Sequence, residues 1–460
     1  LELERCSGRR AFLQSVLTGF LFFAGTLWWV GHVTVPGMGV LTVSLALYFG
    51  VWGVFAHKVL RELGAKNPHR SPISELLTFL SLPAAWVVLE YVRSFLLSGF
   101  GWNLLAHTQW NWISLIQFAD TTGVWGVSFL VVLVNVALFQ LLKRQQGWRI
   151  SVGVAVLCLL GAAAYGAREQ KQFDARAPVP GFKVALLQGN IPQTQKWDEA
   201  YQEAIWKRYE LLTTDAAAQK PNLIVWPETS VPGFLEDEPV RRRLSAVLAS
   251  AGSPVLVGVP TEDLDTGELH NSAVLFSPAG VKNGRYDKLH LVPFGEYVPL
   301  KPLFGWLNNI VPIGDFSAGK EFTVFRPEPP VQPFSVLICF EDLFPGMSRN
   351  FSKSGARWLL VITNDGWFGR SAASLQHLQC SVFRAVEGRV WIARAANTGW
   401  TGFIDPLGRQ FASIPRFKPG VAVGDLPVSG AGRSPYVRWG DWFPLFCLGL
   451  AVWAIMKPSK

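Results

Sequence analysis

Apolar runs long enough to cross a bilayer, joined by connectors whose basic residues come and go in turn, constrain this chain more than any other feature. The runs lie at about 11–30, 39–55, 76–97, 123–142 and 150–165, and a sixth, 442–456, closes the chain. A spanning helix needs roughly 20 apolar residues. The last two runs are short by that measure and gain length if Trp148 and Trp439 sit at the interface. Arg5, Arg9 and Arg10 precede the first run. Lys58, Arg61, Lys66 and Arg70 fill the second connector, Lys143, Arg144 and Arg149 the fourth, and Lys457 and Lys460 follow the last run. Connectors 31–38 and 98–122 hold no Lys or Arg. Basic connectors stay in the cytoplasm, so both termini are expected there, with 31–38, 98–122 and, by parity, 167–441 outside. In a bacterium that is the periplasmic face of the inner membrane. Apolar helices buried inside a large soluble enzyme would have no reason to alternate their charge in this way.

Composition agrees. Of 460 residues 50% are hydrophobic and 16% charged, which excludes a disordered chain and argues against a purely soluble one. Part of the load of 20 Trp and 32 Phe fits aromatic belts at a bilayer surface. The net charge of +9 sorts into connectors and termini rather than one basic face, so no nucleic-acid partner is expected. The five cysteines form no CxxC and no zinc-spaced Cys/His cluster, and neither a disulfide framework nor a metal or other cofactor is called for. The first apolar run lacks a small-residue cleavage site, so no cleavable signal peptide is expected.

Three regions follow: residues 1–166, a transmembrane bundle of about five spans; 167–441, an extramembrane domain; and 442–460, a last span with a cytoplasmic tail. Inside the third run Glu90 and Arg93 sit three apart on one helix face, and a structural ion pair facing the bundle is expected there. From 183 onward β-rich runs (183–188, 223–226, 255–259, 273–276, 334–338, 358–363, 390–395, 402–404) alternate with helical patterns at 197–217, 240–250 and 375–388. That alternation predicts an α/β layered domain whose wholly apolar strands are covered by helices.

Polar residues stand at three strand ends. Leu-Ile-Val-Trp-Pro runs into Glu228; Tyr-Asp-Lys-Leu-His-Leu-Val-Pro-Phe-Gly-Glu carries Lys288, His290 and Glu296; Phe-Ser-Val-Leu-Ile delivers Cys339, followed by Phe340 and Glu341. A cysteine at a strand-to-helix turn has its sulfur exposed and backbone N–H groups close by. A thiol needs a base, a desolvated carboxylate can serve, and a fixed ammonium steadies a developing oxyanion. Glu228, Lys288 and Cys339 therefore suffice for acyl transfer, although their spacing alone leaves open that the three are unrelated. His290 reads as a packed histidine and Cys380 as a core thiol. A Cys339–Cys380 disulfide would block the nucleophile. Asn364 and Asp365 end an apolar strand and are expected to shape the pocket floor; Trp367 reads equally as lipid-facing or core.

These segments resemble the Glu–Lys–Cys triad of the nitrilase superfamily. With the flanking spans, nearly the whole chain resembles the apolipoprotein N-acyltransferase family, on Trp-Pro-Glu at 226–228, Lys-x-His-Leu-Val-Pro-Phe-Gly-Glu at 288–296, Ile-Cys-Phe-Glu at 338–341, Asn-Asp-x-Trp-Phe-Gly at 364–369 and Gln-Gly-Asn-Ile-Pro-Gln with Lys-Trp-Asp at 188–198. The resemblance implies a multi-span α-helical membrane bundle plus an α/β nitrilase-like (αββα sandwich) domain. It implies Glu228 as general base, Lys288 as transition-state clamp and Cys339 as nucleophile, with support from Glu296 and Glu341 and a substrate-side role for Trp197. Phe340 stands where the family often has Tyr and keeps a backbone N–H role. The family typically has eight spans against six read here, the first two being the missing ones. The implied reaction is ping-pong: a membrane phospholipid gives its acyl chain to Cys339, and the N-terminal amine of an S-diacylglyceryl-cysteine apolipoprotein takes it. No partner subunit is required, so a monomer is expected. Trp197 and the apolar segment 300–311 are expected to form a lid or an arm dipping into the interface, keeping water from the thioester. The competing readings are a membrane-tethered nitrilase-type amidase acting on small amides, which would not need the bundle, and a transporter, which would need polar residues along several spans and an inverted repeat.

Overall fold

The computed structural model describes residues 3, 6–64, 71–176, 179–298, 315–428 and 434–457. The chain divides into two compact units. One is Leu1–Arg176 with Ser371–Gln376 and Ser434–Lys460; the other is Ala177–Arg370 with His377–Arg433.

The first unit is helical: α1 (Gly8–Thr26), α2 (Val35–Gly64), α3 (Pro72–Arg93), α4 (Val124–Lys143), α5 (Trp148–Asp174) and a C-terminal helix, Trp442–Met456. Every apolar run read from the sequence is a helix. Four of them, α2 to α5, are long and apolar enough to cross a membrane. The other two fall short, α1 because Arg9, Arg10 and Gln14 lie within its 19 residues, the C-terminal helix because it has only 15. On α2 the exposed residues Val40, Val43, Leu47, Val51 and Val54 recur every three or four positions, as do Leu13, Leu17 and Leu21 on α1. Such outward apolar stripes suit hydrocarbon, not water.

At Glu90 and Arg93 the expected pairing is one of buried charges that act on each other without a direct ion-pair contact. Both side chains are buried, but no oxygen–nitrogen approach within 4.0 Å joins them. Glu90 Oε1 accepts the Leu105 N–H (2.8 Å), whereas Arg93 Nη2 donates to the Asn103 carbonyl (3.4 Å) and its guanidinium lies 5.4 Å from the Phe23 ring centre. The connector after α3 offers each a backbone partner, so the two charges also brace that connector.

The second unit is a pair of facing sheets with helices outside. The first sheet runs β11-β1-β2-β3-β4-β5 and the second β10-β9-β8-β7-β6. In the first, β1 (Gly181–Gln188), β2 (Leu223–Val225) and β3 (Val255–Glu262) are parallel, while β4 (Leu269–Phe276), β5 (Lys282–Asp287) and β11 (Gly420–Pro427) pair antiparallel. In the second, β6 (Phe334–Ile338), β7 (Trp358–Thr363) and β8 (Trp391–Ala396) are parallel, with β9 (Thr401–Ile404) and β10 (Gln410–Ile414) antiparallel. Helices α6 (Glu199–Ala217) and α7 (Glu238–Ala251) cover the first sheet. Ile205, Tyr209, Leu212 and Ala216, spaced four, three and four apart, put one helical face on the strands. Helix α8 (Pro345–Ser354), and α9 (Ala373–Gly388) from His377 onward, belong to the second half. Between the sheets Phe182 of β1 meets Trp358 of β7, ring centres 5.6 Å apart. The parallel strands were legible as wholly apolar runs. Strands β5, β10 and β11 were not: they lie at or next to sheet edges, half exposed, without the continuous apolar signal that marks a covered strand.

Candidate active site

Polar residues that follow β2 and β5 of the first sheet meet polar groups that follow β6 and β7 of the second. Past β2 the backbone of Trp226 still donates to Leu256 (2.8 Å), and its indole stacks on Tyr209. Pro227 then breaks the ladder and Glu228 turns inward, 6% exposed. Glu228 Oε2 accepts the backbone N–H of Asn364, just past β7 (2.8 Å); Oε1 accepts Asn271 Nδ2 from β4 (2.8 Å) and lies 3.5 Å from Lys288 Nζ. One carboxylate thus ties the ends of both sheets together.

Lys288 follows β5 and is fully buried. Its ammonium lies 2.9 Å from both oxygens of Glu296, which also accepts from Asn271 Nδ2 and from the Val292 N–H. Burial works against the charge, but Glu296 first and Glu228 second override it and hold Lys288 well above the ordinary lysine range. It is a fixed cation.

Cys339 ends β6 and opens a short 3-10 turn, Cys339–Leu343, with φ of +52°. Burial, then the charges of Glu228 and Asp365, push its thiol well above the ordinary cysteine range, with Lys288 pulling the other way. It rests as S–H and needs a base in the moment of attack. Glu341 fixes this turn. Its Oε2 accepts the Ile338 N–H (2.7 Å), and Oε1 accepts Tyr286 Oη (2.7 Å) and the N–H groups of Leu289 (2.7 Å) and His290 (3.1 Å). Burial raises its carboxyl to about 7. One side chain therefore couples the Cys339 turn to the segment carrying Lys288.

The structure brings Glu228, Lys288, Glu296, Cys339 and Glu341 together. Phe340 is buried and its ring packs against Phe344. Trp197 is half exposed, with Lys196 Nζ 6.0 Å from its ring centre. His290 is packed, 4.0 Å from the Phe344 ring centre, and Cys380 is buried in the core. Segment 300–311 lies outside the described residues. Sequence reasoning missed Asn271, Tyr286 and Lys196. The last is buried and donates to the Glu228 carbonyl (3.2 Å) and Thr229 Oγ1 (2.6 Å); burial brings it down to about 8. A basic residue beside the exposed Trp197 was the available signal. Among the described residues no group of three or more His, Cys, Asp or Glu stands where it could hold a metal.

A carboxylate, a fixed ammonium and a buried thiol at the strand ends of two facing sheets define the carbon–nitrogen hydrolase class. The family model described as carbon-nitrogen hydrolase matches residues 183–436, and that of the apolipoprotein N-acyltransferase N-terminal domain matches 1–137. Relatives named apolipoprotein N-acyltransferase include one from Geobacter metallireducens, 40% identical with 99% of this chain and 88% of the relative covered. Another, from Chlorobaculum tepidum, is 31% identical over 96% and 86%. Among solved structures, a mutant of the Nesterenkonia AN1 amidase from the nitrilase superfamily is similar at 19% identity and a TM-score of 0.43, covering 57% of this chain and 95% of that one. The chain belongs to the apolipoprotein N-acyltransferase family: it is a membrane protein and an acyltransferase.

Proposed function

We propose that Cys339 carries an acyl chain from a membrane phospholipid to the N-terminal amine of an S-diacylglyceryl-cysteine apolipoprotein. The observation that carries this reading is the convergence of Glu228, Lys288 and Cys339 in a chain of this family. Glu228 takes the thiol proton as Sγ attacks the phospholipid ester carbonyl. Lys288 and the Phe340 backbone N–H face the oxyanion. As the C–O bond breaks, Glu228 returns the proton to the leaving alkoxide, giving lysophospholipid and a Cys339 thioester. The acceptor amine then attacks the thioester carbonyl, Glu228 takes its proton, and the C–S bond breaks to restore the thiol. The enzyme sits in the bacterial inner membrane, with residues 167–441 in the periplasm, on the alternation of basic connectors. Trp197, exposed at the site's margin, meets substrate.

Mass spectrometry of the full-length protein after exposure to phospholipid vesicles tests the reaction. An acyl group on Cys339 with matching lysophospholipid release is expected, none in Cys339→Ala, and loss of at least 100-fold in acylation rate for Glu228→Gln. Absence of the adduct, together with hydrolysis of small amides, would establish the tethered amidase instead.

A further inference from the structure

Around the Cys339 turn four charged side chains are buried to within 2% of full exclusion: Asp342 in the turn, Asp365 past β7, His377 on α9 and Arg394 on β8. His377 Nδ1 lies 2.8 Å from Asp365 Oδ1. Its Nε2 lies 2.8 Å from Asp342 Oδ1 and 3.1 Å from the carbonyl oxygen of Cys339. These neighbours of the ring nitrogens are all acceptors, so both nitrogens carry hydrogen and the ring is a cation. Arg394 completes the set, Nη1 on Asp342 Oδ2 (2.9 Å) and Nη2 3.4 Å from Asp365 Oδ2, and two cations offset two anions. From its own helix His377 has Ser381, which donates to Asp342, and the paired Arg384 and Glu387.

The Cys339 carbonyl is an unusual place for a charged donor. Cys339 is a non-glycine residue at positive φ, a strained conformation that persists where its surroundings over-determine it. Glu341 holds the N–H of the preceding residue, Ile338; His377 holds the carbonyl of Cys339 itself. We propose that His377 is a positioning residue for acyl transfer: clamped as a cation between Asp342 and Asp365, it grips the Cys339 carbonyl and fixes the left-handed turn that presents the thiol to Glu228. The inference rests on Cys339 being the nucleophile, and it assigns to the buried cluster a part in both half-reactions, since the same turn presents the thiol and holds the thioester.

Single-turnover acylation of the full-length protein in phospholipid nanodiscs separates positioning from folding. The amplitude counts competent molecules and the rate constant reports geometry. In His377→Ala the rate constant is expected to fall about 10- to 100-fold in acylation, and equally in transfer to an acceptor amine. His377→Gln, which keeps one N–H donor, recovers part of the loss. Asp365→Asn weakens the clamp, so the alkaline fall of the acylation rate moves to lower pH. Should His377→Ala give no folded protein, the other two variants decide. A reduced amplitude with unchanged rate constants would overturn the proposal, as would a Gln variant with wild-type rates or an unmoved pH profile in Asp365→Asn. Wild-type protein that never acylates at Cys339 overturns the reading of the reaction instead, so the two failures are told apart.

Discussion

Glu341 has four donors pointed at two oxygens, and that makes its chemistry checkable. An ionised carboxylate accepts at every lone pair; a glutamine at the same place accepts at one oxygen and must turn an NH2 toward a donor. With the amide oxygen facing Tyr286, Leu289 and His290, the NH2 meets the Ile338 N–H. That leaves a buried donor unpaired beside another donor, at a cost of roughly 1–3 kcal/mol. Glu341→Gln should therefore lower the melting temperature and slow Cys339 acylation at least tenfold, since the Cys339 turn and the Lys288 segment lose their common tie. Unchanged acylation would show that the tie is not needed. At this scale the sequence was partly legible. Glu228 and Cys339 each follow an apolar strand, where a polar residue has no packing reason to be, and Lys288 stood out as a lysine among apolar residues and turn formers. Their partners carry no such mark: Asn271 reaches Glu228 across 43 residues and the Asn364 N–H across 136, and only the folded sheets bring them together.

Strand packing sets how far Glu228 reaches into the site. Gly258, within β3, has no room for a side chain: a Cβ there would stand 2.2 Å from the Pro227 oxygen and 2.7 Å from the Glu228 Cα. Backbone crowds it on the side of the candidate base, so no flexible side chain can yield. The Gly258 carbonyl also accepts both the N–H (2.8 Å) and the hydroxyl (3.0 Å) of Ser230, closing the turn after Glu228. Gly258→Ala should displace Glu228, cutting acylation about 100-fold for a shift of the order of 1 Å and destabilising the domain. A crystal structure or thiol-acylation assay showing an undisturbed Glu228 and wild-type rate would sink this. The elements themselves show why legibility stopped where it did. Covered parallel strands and amphipathic helices carry continuous or periodic apolar signals. Edge strand β5, Lys-Asn-Gly-Arg-Tyr-Asp, buries Tyr286 and little else, so the pattern that would announce a strand is absent although the strand leads straight to Lys288. Likewise Glu90 and Arg93 share a face as their spacing says, but spacing cannot foresee that the next connector takes each of them.

Across the whole molecule, the buried charge cluster ties stability to pH. His377 is held up at about 9 against an ordinary 6.5: burial opposes the charge, and Asp342 and Asp365 outweigh both it and Arg394. A base raised on folding adds stability that is complete below pH 6.5 and is lost as pH rises through 9. Its partners run the opposite way. Despite burial, Asp342 and Asp365 are held below the usual 3.8, chiefly by His377, so their contribution is present above 3.8 and fades as pH falls through their lowered values. The cluster is therefore strongest from about pH 4 to 6.5 and weakens steadily toward 9. The shift corresponds to about 3 kcal/mol in favour of the charged ring. Glu341 near 7 and Lys196 near 8 titrate in the same window, so the raw melting curve mixes all three. Comparing wild type with His377→Gln removes the mixture, because both other groups remain in the variant. The melting-temperature gap between the two proteins in nanodiscs should be widest near pH 6 and shrink markedly by pH 9.5, as deprotonated imidazole turns a bare lone pair toward a carboxylate. A gap that stays constant from pH 6 to pH 10 would mean that His377 is neutral in the folded protein, and that the Cys339 carbonyl is held by something other than an imidazolium.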